Sequence, residues 1–97
     1  MDAITAGNVL RDLREARHVS LSELARLAGC SKSSLSKYEL NQKATPIEVL
    51  ARLAAALKVR EEVVVLRSIR LRYTALNKGK IAEVFDELIT CVEDGVR

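Results

Sequence analysis

A glycine set between two helix-start signals constrains this chain more than any other feature. Ser20-Leu21-Ser22-Glu23 reads as a capping box, in which Ser20 and Glu23 satisfy each other's free amides at the start of a helix. Leu21, Leu24, Ala25 and Ala28 then recur at helical spacing. Gly29 stops the run, because glycine takes positive φ at no steric cost. Just beyond it Ser31 offers a second cap, for a helix whose inward positions are Leu35 and Tyr38. The chain must therefore fold as helix, very short turn, helix.

Other helices flank this pair. Thr5 is an expected cap for the first, with Ile4 stapled on Val9, an inner face of Val9, Leu10 and Leu13, and an end at Arg17–His18. Asn41-Gln42-Lys43-Ala44 reads as a loop. Thr45-Pro46-Ile47-Glu48 reads as a second capping box with proline at the first helical position, followed by Leu50, Leu53, Ala54 and Leu57 on one face. From Arg60, the stripe Val65/Leu66, Ile69, Tyr73, Leu76 predicts a helix. The alternation Ile69-Arg70-Leu71-Arg72-Tyr73 and the β-branched Val63–Val65 fit a strand instead, and helix is the preferred reading. After a turn at Asn77-Lys78-Gly79-Lys80, Ile81, Val84, Phe85, Leu88, Ile89 and Val92 repeat at helical spacing. No internal repeat or low-complexity stretch interrupts the series.

Composition narrows the function classes. A chain of 97 residues holds one domain, or a small domain with an oligomerisation appendage. It is 48% hydrophobic with only 3% aromatic residues, so its core must be aliphatic. The net charge is +3, and it is unevenly spread: residues 1–58 carry +3, residues 59–80 carry +4 and residues 81–97 carry −4. A polyanion would meet the earlier part and the acidic end would point away from it. Cys30 and Cys91 form neither a disulfide framework nor a metal pair, and His18 has no partner at ligand spacing, so no metal or cofactor is expected. With one histidine, no Cys–His or Ser–His–Asp setting and no glycine-rich phosphate loop, no catalytic residue is expected either. The start lacks a signal peptide and no apolar run approaches the ~20 residues of a membrane span, so a soluble, cytoplasmic protein is expected.

Helix, glycine turn and helix together make the helix-turn-helix pattern. Residues 8–58, a little over half the chain, resemble the DNA-binding domain of the lambdoid phage repressor and Cro type. The resemblance rests on Leu24-Ala25, Gly29, Ser31, Leu35-Ser36, Glu39, Pro46, Leu50, Leu53-Ala54 and Leu57, all in register on independently predicted helices. It implies an all-α fold with a five-helix phage-repressor-like DNA-binding domain over residues 1–66, and the apolar stripe beyond it is read as a helical dimerisation segment over residues 67–97. It also implies a recognition helix from Ser31 to about Leu40 that enters the major groove of double-stranded DNA. Lys32, Ser33, Ser36 and Lys37 then face the bases; lysine suits guanine O6 and N7, so a G-containing half-site is expected. Ser20 and Ser31 with their helix-start amides, and Gln42 and Lys43, then hold phosphates. Arg14 pairs with Glu39 as a scaffold ion pair. Leu21 stands where the family often has glutamine, which puts one backbone or base contact in doubt. His18 and Asn41 stand where it has glycines, and both tolerate the left-handed region.

Plainer readings stand beside these. Lys32, Lys37 and Lys43 read alone are a solvated face. Cys30 is a buried thiol used in packing rather than a redox sensor, Cys91 packs at an interface, and His18 ends a helix. The stripe Ile81, Val84, Phe85, Leu88, Ile89 and Val92 either closes the monomer core or joins two copies, and self-association is preferred because the first five helices complete a core by about Leu66. The function expected is a homodimeric repressor or autoregulator on a palindromic operator. The alternative is an antitoxin-like DNA-binding protein whose C-terminal segment holds a partner protein.

Overall fold

Ser20 and Ser31 each begin the helix that follows them. The computed structural model describes the backbone of residues 3–76 and 80–94, with side chains for residues 3–72 and 82–93. In chain order it places β1 (Ala3–Ile4), α1 (Gly7–Ala16), α2 (Leu21–Ala28), α3 (Lys32–Glu39), β2 (Thr45–Pro46), α4 (Ile47–Ala56), α5 (Glu61–Leu76) and α6 (Lys80–Asp94). Among the described residues, six helices with one two-residue strand pair make an all-α fold. Ser20 Oγ accepts from Glu23 N–H at 3.1 Å, and Ser31 Oγ from Ser34 N–H at 3.0 Å. Among the described residues only this half of the Ser20–Glu23 box forms.

Four helices end in the same way. His18, Gly29, Asn41 and Lys58 hold φ of 56°, 72°, 59° and 60°. Just after each, an amide reaches back five residues: Val19 to Arg14, Cys30 to Ala25, Gln42 to Lys37 and Val59 to Ala54, at 2.9–3.2 Å. This wraps the last turn and satisfies carbonyls that would otherwise lack donors. The positive φ at His18, Gly29 and Asn41 agrees with the sequence reading; Lys58 was not foreseen, because nothing in a lysine side chain favours the left-handed region. Lys58 is exposed. Lys58→Gly is therefore expected to stabilise the fold by about 1 kcal/mol, read as a rise in the urea midpoint at unchanged slope.

Two expected caps do not form. α1 starts at Gly7 with Ala6 before it and no side-chain cap, so Thr5 caps nothing. α4 starts at Ile47, with Pro46 before it and no side-chain cap. Thr45 lies instead in β2, paired antiparallel with Ile4, fully buried and with its hydroxyl unpartnered. Pairing of two short segments 41 residues apart turned Thr45 inward, away from the helix it was expected to start.

The core is aliphatic, as the composition requires. Leu10, Leu24, Leu35, Leu50, Leu53, Leu57 and Val64 are fully buried, each contributing roughly 1.5–3 kcal/mol. Leu13, expected inside, is only half-buried. α2 packs on α4 and α3, α1 on α3 and α5, and α5 most extensively on α6. α5 is one helix and runs unbroken across residue 66. Its consecutive Val63 and Val64 are both buried, which a strand with one covered face cannot do. Among the described residues no helix is long and apolar enough to cross a membrane.

Candidate nucleic-acid interface

α3 sorts its residues by what must be held and what must be offered. Leu35, Tyr38 and Glu39 are buried, while Lys32, Ser33 and Lys37 are exposed and Ser36 is half-buried. Three of the four expected base-reading residues thus stand clear of the fold, and Ser36 stands at their margin. Ser20 and Ser31 lie exposed at the starts of α2 and α3. Each uses a lone pair on a backbone amide, which leaves its hydroxyl proton to donate to an oxyanion. The free amides of the first turns add partial positive charge at both places. Gln42 and Lys43 lie exposed just past α3. The Lys43 ammonium sits 5.7 Å from the centroid of the Tyr38 ring, a cation–π distance that keeps the charge beside α3.

Two ties from α1 secure this helix. The first is the ion pair expected from the sequence. Arg14 donates from Nε to Glu39 Oε2 at 2.7 Å and from Nη2 to Oε1 at 3.0 Å, a fork in which both carboxylate oxygens are used. Its remaining nitrogen donates to the Val19 carbonyl at 2.9 Å, so the same guanidinium also closes the turn after α1. The side chains are 14% and 5% exposed. Hydrogen bonding to Glu39 raises the Arg14 pKa above its ordinary value, against the opposing pull of burial. The second tie was not foreseen: Gly7 N–H donates to Asn41 Oδ1 at 3.0 Å. The only local hint is that asparagine, rather than glycine, occupies a left-handed position.

Leu21, where the family often has glutamine, is half-buried against the core, as is Cys30. Burial pushes the Cys30 thiol up, and the charge of Arg52 only partly counters it, which fits a thiol packed against the core.

The apolar stripe of α6 divides. Ile89 is buried and Phe85 and Val92 are half-buried, whereas Val84 and Leu88 are 53% and 46% exposed, with Cys91 exposed on the same side of the helix. Ile81 lies outside the described side chains. Two acids of α6 stay exposed and pair with arginines of α5. Asp86 binds Arg70 at 2.8 Å and Glu93 binds Arg67 at 2.9 Å. Exposed ion pairs of this kind contribute about 0–1 kcal/mol each, so they orient α6 more than they hold it.

Known proteins share this arrangement. A helix-turn-helix family model matches residues 10–64. An uncharacterized HTH-type transcriptional regulator of Mycobacterium tuberculosis (strain ATCC 25618 / H37Rv) is 33% identical over 84 residues, 87% of this chain and 60% of that protein. The chain therefore spans about 60% of the length of that relative. Among solved structures, SinR of Bacillus subtilis, a master regulator for biofilm formation crystallised with DNA, is 36% identical. It superposes with a TM-score of 0.59, covering 62% of this chain and 97% of that one. The clp gene regulator ClgR of Corynebacterium glutamicum superposes with a TM-score of 0.70 at 27% identity, covering 84% of this chain and 87% of that one. With the family match across more than half its length, the chain belongs to the helix-turn-helix family.

Proposed function

We propose that the protein is a transcriptional regulator, a homodimeric repressor or autoregulator that reads a palindromic operator with α3 in the major groove of each half-site. The observation that carries this reading is a single helix that is fixed on one side by a buried ion pair and presents Lys32, Ser33 and Lys37 on the other. Lys32 and Lys37, with Ser33 and Ser36 beside them, contact base edges. Ser20, Ser31, Gln42 and Lys43 hold phosphates on either side, which sets register without carrying sequence information. SinR, crystallised with DNA, supports DNA as the partner.

One α3 spans only a few base pairs, so two copies about 34 Å apart are needed for useful discrimination. We assign that role to α6. Its Val84 and Leu88 remain uncovered in the single chain, and its exposed Glu83 and Glu87 disfavour contact with phosphate.

Selecting bound sequences from a random DNA pool tests the reading at once, since it yields half-site, spacing and symmetry. The expected result is an inverted repeat with guanine in each half-site; a motif without symmetry would refute the two-copy reading. Lys32→Ala and Lys37→Ala should each change base preference and cost about 1–3 kcal/mol on the selected site. Lys43→Ala should weaken all sequences alike and flatten the log–log salt dependence by about one unit. Titration of labelled duplexes at several salt concentrations separates the two behaviours.

A further inference from the structure

Glycine is the ordinary residue for a left-handed helix end, yet α3 ends on Asn41, with φ of 59°. The Asn41 carboxamide performs a task for which glycine has no atoms. Its Oδ1 accepts from the amide of Gly7, 34 residues earlier in the chain. α1 has no side-chain cap of its own, so a residue just past α3 caps it. The two segments lie so close that a Cβ on Gly7 would overlap Asn41 Oδ1 and the carbonyl oxygens of Tyr38 and Glu39. Only glycine allows that approach.

We propose that Gly7 and Asn41 form a latch that sets the direction in which the chain leaves α3, and that Asn41 is thereby a positioning residue for DNA discrimination. The inference rests on α3 being the helix that reads DNA. Gly7 and Arg14 lie seven residues apart on α1, about 10 Å along its axis, so the two ties engage the C-terminal end of α3 from separate points of α1. Gln42 and Lys43 follow Asn41 directly and inherit its placement. Discrimination between bases needs side chains held to about half an ångström, so a tie just past α3 bears on it directly.

Asn41→Gly tests the latch, with Lys58→Gly as its control, because both substitutions keep the left-handed turn and only the first removes an acceptor. If Asn41 merely ended a helix, the two would behave alike. With the latch, Asn41→Gly speeds hydrogen exchange of the Gly7 amide about tenfold. It also lowers the ratio of specific to non-specific DNA affinity about three- to tenfold, at a temperature where circular dichroism shows full helix content. Lys58→Gly does not speed exchange at Gly7 and leaves the affinity ratio unchanged. Asn41→Asp, which keeps Oδ1, retains slow exchange at Gly7. Gly7→Ala lowers the affinity ratio as Asn41→Gly does; if it fails to fold, the Asn41→Gly and Lys58→Gly pair still decides. Wild-type exchange at Gly7, or a wild-type affinity ratio, in Asn41→Gly overturns the proposal. Failure of the α3 reading shows separately, as a selected motif that Lys32→Ala and Lys37→Ala leave unchanged while Gly7 exchange still responds.

Discussion

Glu39→Ala is expected to destabilise the protein by about 2–3 kcal/mol, lowering Tm by on the order of 10–20 °C in calorimetry. The size follows from burial. Exposed ion pairs contribute little, but here the carboxylate is 5% and the guanidinium 14% exposed, so water cannot replace a lost partner. Breaking a fully buried pair costs about 3–5 kcal/mol, and the value here is lower because Arg14 keeps its bond to the Val19 carbonyl. Replacing both residues by apolar ones of similar size should cost less than Glu39→Ala alone, since no charge is then stranded. Equal melting temperatures for wild type and Glu39→Ala would remove the pair from the account of how α3 is held. Operator affinity should fall along with stability, because α3 then depends on the Asn41 tie alone.

The second large effect is expected at α6, where neighbouring residues should respond in opposite ways. Leu88→Asp places a charge on a surface that is already 46% exposed, so the single chain should stay folded while its self-association is lost. Sedimentation should then report a monomer at micromolar concentration, and affinity for a palindromic site should fall about 100-fold or more as the two half-sites come to be bound independently. Ile89→Asp instead buries a charge at a position 6% exposed, and should unfold α6 or the whole domain. A Leu88→Asp protein that remained dimeric would move the interface elsewhere, and co-purification of another protein on α6 would favour a partner-binding role. On sequence alone all six apolar positions of α6 are candidates for this interface, with Phe85 and Leu88 expected at its centre; the fold half-buries Phe85. The fold commits Ile89 to the monomer and leaves Val84 and Leu88 over.

What was legible in the sequence was local. Ser20, Ser31, Gly29 and the spacing of Leu24, Leu35, Leu50 and Leu53 act within a turn or two of their own positions, and the helices they announce are present. His18 and Asn41 were readable as left-handed residues for the same reason. The Arg14–Glu39 pair was reached only through resemblance to a family, because no local rule links residues 25 apart. The errors were also systematic. Thr5 and Thr45 look like caps to any local rule, yet neither caps a helix.

The sequence by itself thus determined where most helices start and stop, which faces are apolar, and which helix offers lysine and serine outward. Tertiary structure alone decided that Thr45 pairs with Ile4, that Asn41 caps a helix 34 residues before it, that Asp86 and Glu93 turn to the arginines of α5, and that the apolar stripe of α6 is shared between an inner and an outer surface. The physical reason is range. Capping and periodicity depend on chain geometry over a few residues, which the residue types specify. A backbone amide left free at a helix start accepts whichever acceptor the packing of distant helices brings within 3 Å, and a hydrophobic side chain is indifferent to which apolar surface covers it.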